Sequence, residues 1–207
     1  VNDASHFDEL ASTWDDDPVK LERARAVARA IVDRVDLQGA HVIEDGCGTG
    51  LLGFALLEVS SPATITFIDP SEAMRDQVTR KIASLPPQRA CVIAPHEEVG
   101  AGRDLVASLM VLHHVDDPAG TIRHWAGWLD HGAYLAIADL HREDGSFHGH
   151  DHGHGPLHRG FDPTRVADWM RDAGLDPQEP VDVFTMEKDV DGETRHYPVW
   201  LMTGRKS

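Results

Sequence analysis

Apolar and polar positions along the chain switch between two periods. Over 19–35, Leu21, Ala24, Val27, Ala28, Ile31, Val32 and Val35 recur at spacings of three and four, which predicts an amphipathic helix closed off by Gly39. Residues 41–44 form a short apolar run that stops at a glycine cluster and reads as a strand. Helical pattern returns over 51–59, and 64–68 reads as the next strand, ending at Asp69-Pro70. Ser71 is a plausible N-cap for a helix to about Ser84, which Pro86-Pro87 breaks. Strands are predicted over 90–94, 104–109 and 133–138, with a helix over 118–129 between the last two. Pro163 after Asp162 opens a further helix that ends at Gly174. Residues 181–186 and 197–203 read as strands with no helix between them, hence an antiparallel pair. Strands alternating with helices over the first two thirds predict βαβ units and a mostly parallel sheet. No repeat or domain boundary interrupts the pattern, so 1–207 reads as a single domain.

At 207 residues the chain is long enough for one sizeable core. Lys plus Arg number 19 against 35 Asp plus Glu, a formal net charge of -16. Such a chain is repelled by phosphate backbones and anionic lipid, and no Lys/Arg cluster offsets this, so neither nucleic acid nor membrane is expected as a partner. Cys47 and Cys91 form no CxxC pair, which removes zinc-ribbon and thioredoxin readings and favours a reducing, cytoplasmic setting. Residues 1–8 lack the basic start and apolar core of a signal peptide. No apolar run approaches the roughly 20 residues needed to cross a bilayer. Nothing in the sequence fixes an oligomeric state.

The chemistry concentrates at Glu44-Asp45-Gly46-Cys47-Gly48-Thr49-Gly50, a glycine loop that follows a strand and opens a helix. In an open parallel sheet the ligand sits beyond the carboxyl ends of the strands, and glycines let the backbone approach it. Two nucleotide readings compete. Gly48-Thr49-Gly50-Leu51-Leu52-Gly53 matches GxGxxG with Asp69 at dinucleotide spacing, which fits an oxidoreductase. The other reading takes Gly46, Gly48 and Gly50 with the acid Glu44 before them. Register favours the second: four residues separate strand from fingerprint in the first, and two carboxylates there would face a pyrophosphate. A ligand carrying cations in place of phosphates suits Glu44.

These residues resemble motif I of the class I S-adenosylmethionine-dependent methyltransferases. Ile68-Asp69-Pro70-Ser71-Glu72-Ala73-Met74 is similar to their second motif, and 104–115 to the strand-four segment of the small-molecule branch, which includes the quinone-biosynthesis enzymes. The resemblance extends to 6–15 and 144–148. It implies an α/β fold, a Rossmann-like doubly wound sheet of about seven strands, mostly parallel with an antiparallel last strand and helices on both faces. It implies S-adenosylmethionine as cofactor and a small-molecule methyl acceptor as partner. Gly46, Cys47 and Gly48 would pass under the cofactor's amino-acid part and Glu44 would interact with it. Asp69 would accept hydrogen bonds from the ribose hydroxyls, and Pro70 and Met74 would pack near the adenine. Glu97 would stand in for an adenine-binding acid after strand three, and Ser108 is included in the cofactor set. Residues 1–38 would form a helical cap or lid, with Phe7 and Trp14 over the cofactor or packed on the first helix. Asp45, where the family has an apolar residue, makes the loop more polar or more strained.

His113 and His114 follow strand four at the ligand edge and are the candidate catalytic residues: one would act on the acceptor, as a base if a proton must leave, and the other would cap or pack. His148, His150, His152 and His154 alternate within the His/Gly-rich loop 141–161. Extended, they would share one face within reach of a single divalent ion. Their glycines oppose a fixed metal geometry, so the segment reads as a solvated loop and no residue is assigned to a metal. His158 is the better candidate for shaping the substrate pocket, and Cys47 reads as a small spacer in the glycine loop. The expected function is methyl transfer to a small molecule. The alternatives are a non-catalytic cofactor- or metal-binding protein on the same fold, and a nucleotide-dependent oxidoreductase.

Overall fold

The computed structural model describes residues 4–100, 102–148 and 156–207. One eight-stranded sheet runs through it in the order β3-β2-β1-β4-β5-β8-β6, with β7 paired to β8 off that path. Strands β1 (His41–Asp45), β2 (Thr64–Ile68), β3 (Ala90–Ile93), β4 (Arg103–Leu109) and β5 (Leu129–Leu140) are parallel to their neighbours. β6 (Leu175–Pro177), β7 (Val181–Val190) and β8 (Glu193–Lys206) complete the sheet, each pairing with β8 antiparallel, as β8 does with β5. The sheet therefore has one more strand than expected, and its antiparallel part is three strands. The extra strand, β6, has three residues, too few for any period to register.

Successive strand residues point to opposite faces, so each central strand feeds two cores. Val42 joins one cluster and Ile43 the other; Leu105 and Ala107 alternate with Val106; Leu201 alternates with Trp200 and Met202. Helices α2 (Pro18–Val32) and α3 (Leu51–Val59), together with α4 (Glu72–Ile82), cover the first face through Ile31, Leu56 and Val78. α5 (Pro118–Trp128) and α6 (Pro163–Asp172) cover the second through Trp125 and Met170.

The helix starts follow local capping chemistry. Asp17, Asp117 and Asp162 cap α2, α5 and α6, each with Pro as the next residue, and Ser71 accepts the Met74 N–H at the start of α4. α2 ends three residues before the apolar pattern does. There Arg34 N–H bonds Ile31 O and the chain tightens, although Val35 stays buried. β7 outruns its expected end at Met186 because Asp191 and Gly192, both at positive φ (56° and 82°), close a hairpin onto β8. Two short elements precede α2: α1 (Ser5–Leu10), and a 3-10 turn over Trp14–Asp16. Among the described residues no helix is long and apolar enough to cross a membrane.

Candidate active site

Parallel strands β1, β2 and β4 end on the same edge, and a cavity of about 740 Å³ opens there. Glu44, Gly46, Cys47, Gly48, Asp69, Pro70, Met74, His113 and His114 all line it, so nine of the expected site residues meet in one space.

Gly46, Gly48 and Gly50 all lie at positive φ (69°, 53° and 84°). At Gly46 a Cβ would also collide with the Val111 side chain. The loop needs glycine there for both conformation and room. Glu44 is buried; its carboxylate accepts the Gly53 N–H at 2.8 Å. Burial pushes its carboxyl up to about 8, although that N–H pulls it back. Asp45 answers the question its polarity raised. Its Oδ2 accepts the Trp125 indole N–H at 2.5 Å, tying the loop to α5, while burial raises its carboxyl despite that bond. Cys47 is buried and its thiol is held protonated by burial first and by the nearby carboxylates, which fits a spacer.

Asp69 fastens the next loop. Its Oδ2 accepts the Gly48 N–H at 2.7 Å and its Oδ1 the Ser71 N–H at 2.8 Å. A carboxylate offers about four acceptor sites, so both oxygens keep a lone pair beyond these bonds. Burial raises its carboxyl to about 6. The N-terminal segment lies over this edge. Asp8 accepts from the Ser71 hydroxyl and the Ala73 N–H, and Asp15 accepts from the Thr49 hydroxyl and pairs with Lys81. Phe7 and Trp14 both line the cavity, with ring centroids 6.0 Å apart, and Trp14 Nε1 comes within van der Waals reach of the Gly48 position.

At the end of β4 the backbone makes an unusual bend. Met110 sits at φ 60°, a conformation that a residue with a Cβ adopts rarely. It turns the chain into a short 3-10 segment, Leu112–His114. His113 is fully buried, with Nδ1 2.6 Å from Asp139 Oδ1. Asp139 also accepts the His113 backbone N–H at 3.2 Å and the Leu140 N–H at 2.7 Å. An ionised carboxylate can only accept, so Nδ1 carries a proton, and in the neutral ring this tautomer puts the lone pair on Nε2. The His114 ring lies tilted against His113 with centroids 4.1 Å apart; burial first, then its histidine neighbours, hold it far below its ordinary value and therefore neutral. Both histidines line the cavity.

Other expectations land elsewhere. Glu97 is exposed and outside the cavity lining: its side chain accepts the Ala94 N–H at 2.7 Å, bracing a turn, and Pro95 faces the cavity instead. Ser108 is buried beneath the loop and donates to Asp45 O at 3.0 Å; it too is absent from the lining. His158 lies outside the lining but clamps the histidine turn, its N–H on His113 O at 3.0 Å and its ring Nε2 3.0 Å from Val115 O. His150, His152 and His154 lie outside the described residues. The start of the same segment is fastened rather than free. Glu143 accepts the Gly145 and Phe147 N–H groups, Asp144 pairs with Arg195, and Phe147 packs on Tyr197, so that Phe147 and His148 both line the cavity.

Three basic residues that the sequence reading passed over also reach the cavity: Lys20, Arg23 and Lys188. Arg23 is buried and its Nε has no hydrogen-bond partner. Burial lowers Arg23 to about 10 and lowers both lysines; repulsion from Arg23 adds to the effect on each lysine, and Asp17 opposes it at all three. For the two on α2 the signal lay in helical spacing. Lys20 and Arg23 extend the Val27–Ile31 face of α2 toward its N-terminus.

A methyltransferase domain family matches residues 43–135. The ubiquinone biosynthesis O-methyltransferase of Marinobacter nauticus is 28% identical over 226 residues, covering 92% of this chain and 91% of that protein. Among solved structures, a chain of the Haloferax volcanii complex between the Trm112 methyltransferase activator and a methyltransferase superposes with a TM-score of 0.74 at 18% identity, covering 96% of each chain. Magnesium protoporphyrin IX methyltransferase from Synechocystis PCC 6803, solved with S-adenosylhomocysteine bound, gives 0.63 at 18% identity, covering 90% of this chain and 83% of that one. Fold, glycine loop and sequence kinship define an S-adenosylmethionine-dependent enzyme. The chain is thus similar to the class I S-adenosylmethionine-dependent methyltransferases, with distant homology to the ubiquinone biosynthesis O-methyltransferases.

Proposed function

We propose that the chain acts as one domain that transfers the methyl group of S-adenosylmethionine to a hydroxyl of a small, negatively charged acceptor. The observation that carries this reading is the continuity of the cavity, which joins the glycine loop and Asp69 to His113 and His114. In this reading Gly46, Cys47 and Gly48 pass under the amino-acid part, with Glu44 beneath, and Asp69 offers its remaining lone pairs to the ribose hydroxyls. Pro70 and Met74 form the adenine side. The sulfonium then faces the histidines, whose end of the cavity receives the acceptor.

Methyl transfer is an in-line displacement, so the protein's first task is alignment, with the reacting atoms about 3–3.5 Å apart. The lid segment serves that task by excluding water with Phe7 and Trp14. The second task is to let the acceptor lose its proton, and the lone pair that Asp139 fixes on His113 Nε2 supports this. Lys20, Arg23 and Lys188 supply the acceptor's charge preference: Asp17 offsets part of the charge of these three cations, and an anionic ligand in the same partly buried space offsets the rest. The O-methyltransferase relatives make a hydroxyl the acceptor atom best supported.

The experiment is an extract screen. Protein incubated with methyl-labelled S-adenosylmethionine and a metabolite extract is expected to move label into the small-molecule fraction, into an acid retained on anion exchange. Label found only in a neutral or cationic product would contradict the role of the three cations. Label confined to macromolecules would contradict the small-molecule acceptor.

A further inference from the structure

His113, His114 and His148 come from two separate segments and meet in the cavity. Ring centroids lie 4.1 Å apart for His113 and His114, 5.2 Å for His113 and His148, and 5.6 Å for His114 and His148. One ring nitrogen from each lies within 4.8 Å of the others. A tetrahedral metal with Zn–N bonds of about 2.0–2.1 Å needs nitrogens roughly 3.4 Å apart, so rotations closing the gap by up to about 1.4 Å bring the three into a ligand set.

Three features separate this cluster from a chance encounter of imidazoles. The His113 ring is already oriented as a ligand: Asp139, with no solvent exposure, holds Nδ1–H and leaves Nε2 bare. Carboxylate–histidine–metal relays use that arrangement to fix the tautomer and raise ligand basicity. His114 Nδ1 is buried with no hydrogen-bond partner, an outcome that folding avoids unless something else satisfies the atom. Finally, His148 is held at the cluster by fastened backbone: Glu143 bonds the Phe147 N–H, Lys188 bonds Phe147 O at 2.7 Å, and the Phe147 and His148 rings lie 4.7 Å apart.

We propose that His113, His114 and His148 bind a divalent transition metal of the zinc or iron(II) type, whose open coordination position takes the acceptor's hydroxyl oxygen. Imidazole nitrogens suit these ions, and three protein ligands with one open position is the arrangement of catalytic rather than structural sites. The proposal rests on the reading of this end of the cavity as the acceptor end. Binding to the metal acidifies the hydroxyl, and its proton passes to water. The oxygen lone pair then forms the bond to the methyl carbon as the carbon–sulfur bond breaks, and that bond's electron pair stays on sulfur, leaving a neutral thioether. His113 acts in this scheme as the ligand that Asp139 positions.

The test uses the full chain without an affinity tag, stripped with chelator, and titrated with Co²⁺ and with Zn²⁺. One equivalent of Co²⁺ should give the visible bands of a four- or five-coordinate ion. His114→Ala and His148→Ala, each checked for folding by circular dichroism, should abolish them. Asp139→Asn should weaken the metal by about 10–100-fold, as loss of an orienting partner does. The triple variant His150→Ser, His152→Ser, His154→Ser should leave binding unchanged. Absence of a stoichiometric site overturns the proposal, as does a site lost in the triple variant but kept in His114→Ala and His148→Ala. S-adenosylhomocysteine binding is measured on the same stripped protein. If it persists while the metal does not bind, only the metal proposal fails; if it is absent, the cofactor reading beneath it fails.

Discussion

His113→Ala is expected to lower turnover on the true acceptor by about 10²–10⁴-fold, the usual contribution of a group that assists proton loss. S-adenosylhomocysteine affinity should stay unchanged, because in the proposed pose His113 serves the acceptor and touches neither the ribose nor the amino-acid part. The variant loses the ring that Asp139 orients at the acceptor end of the cavity, and with it the nitrogen that takes the proton directly or holds the metal that acidifies the hydroxyl. It also leaves Asp139 buried without its ring partner, so a fall in melting temperature accompanies it. Asp139→Asn separates the two effects. It keeps the packing but can orient the ring in the wrong tautomer, so the expected signature is a lower kcat at little-changed KM. Rates for His113→Ala within tenfold of wild type would show that alignment alone carries the reaction.

Asp69→Ala is expected to weaken S-adenosylhomocysteine by about 1.5–3 kcal/mol, the range for hydrogen bonds to a charged group, measured by calorimetry. The pH dependence gives a second reading of the same side chain. Burial holds its carboxyl at about 6, with Asp45 pushing it up and Arg75 pulling it down. It is therefore ionised above that value and protonated below it. The hydroxyl donors of a ribose favour the ionised form, so affinity should fall as pH drops through about 6 in wild type. The variant should lack this step while keeping whatever Glu44, held up at about 8, contributes. A wild-type affinity that is flat across this range, or an unchanged dissociation constant in a folded Asp69→Ala, would remove Asp69 from the cofactor site.

Much of this was legible in the chain itself, where local chemistry dictates structure. The period-two and period-3.6 runs gave β1, β2, β4, α3 and α5 nearly residue for residue, and Ser71 and Asp162 marked two helix starts. The alternation of glycines after β1 located the ligand edge because only that backbone needs three positive φ angles in a row of five residues. What stayed hidden depends on pairing between distant segments. β7 was cut short at Met186 because Glu187, Lys188 and Asp189 look like loop, yet they continue a hairpin whose Asp191-Gly192 turn was the overlooked signal. Lys188 was lost with them. Arg23 is no part of the apolar stripe of α2, yet it is buried beside Met186. Glu97 could not be placed from spacing alone, since the same carboxylate can serve a ligand or its own turn, and here it bonds Ala94 N–H. The meeting of His148 with His113 and His114 joins residues some 35 positions apart, and no local pattern announces it.

The most direct test is a crystal structure of the complex with S-adenosylhomocysteine. The homocysteine part should lie over Gly46–Gly48, the ribose hydroxyls on Asp69 and the adenine between Pro70 and Met74, with the sulfur turned toward His113 and His114 across the open cavity. A product whose sulfur faces away from the histidines, or one bound outside the glycine loop, would contradict the account.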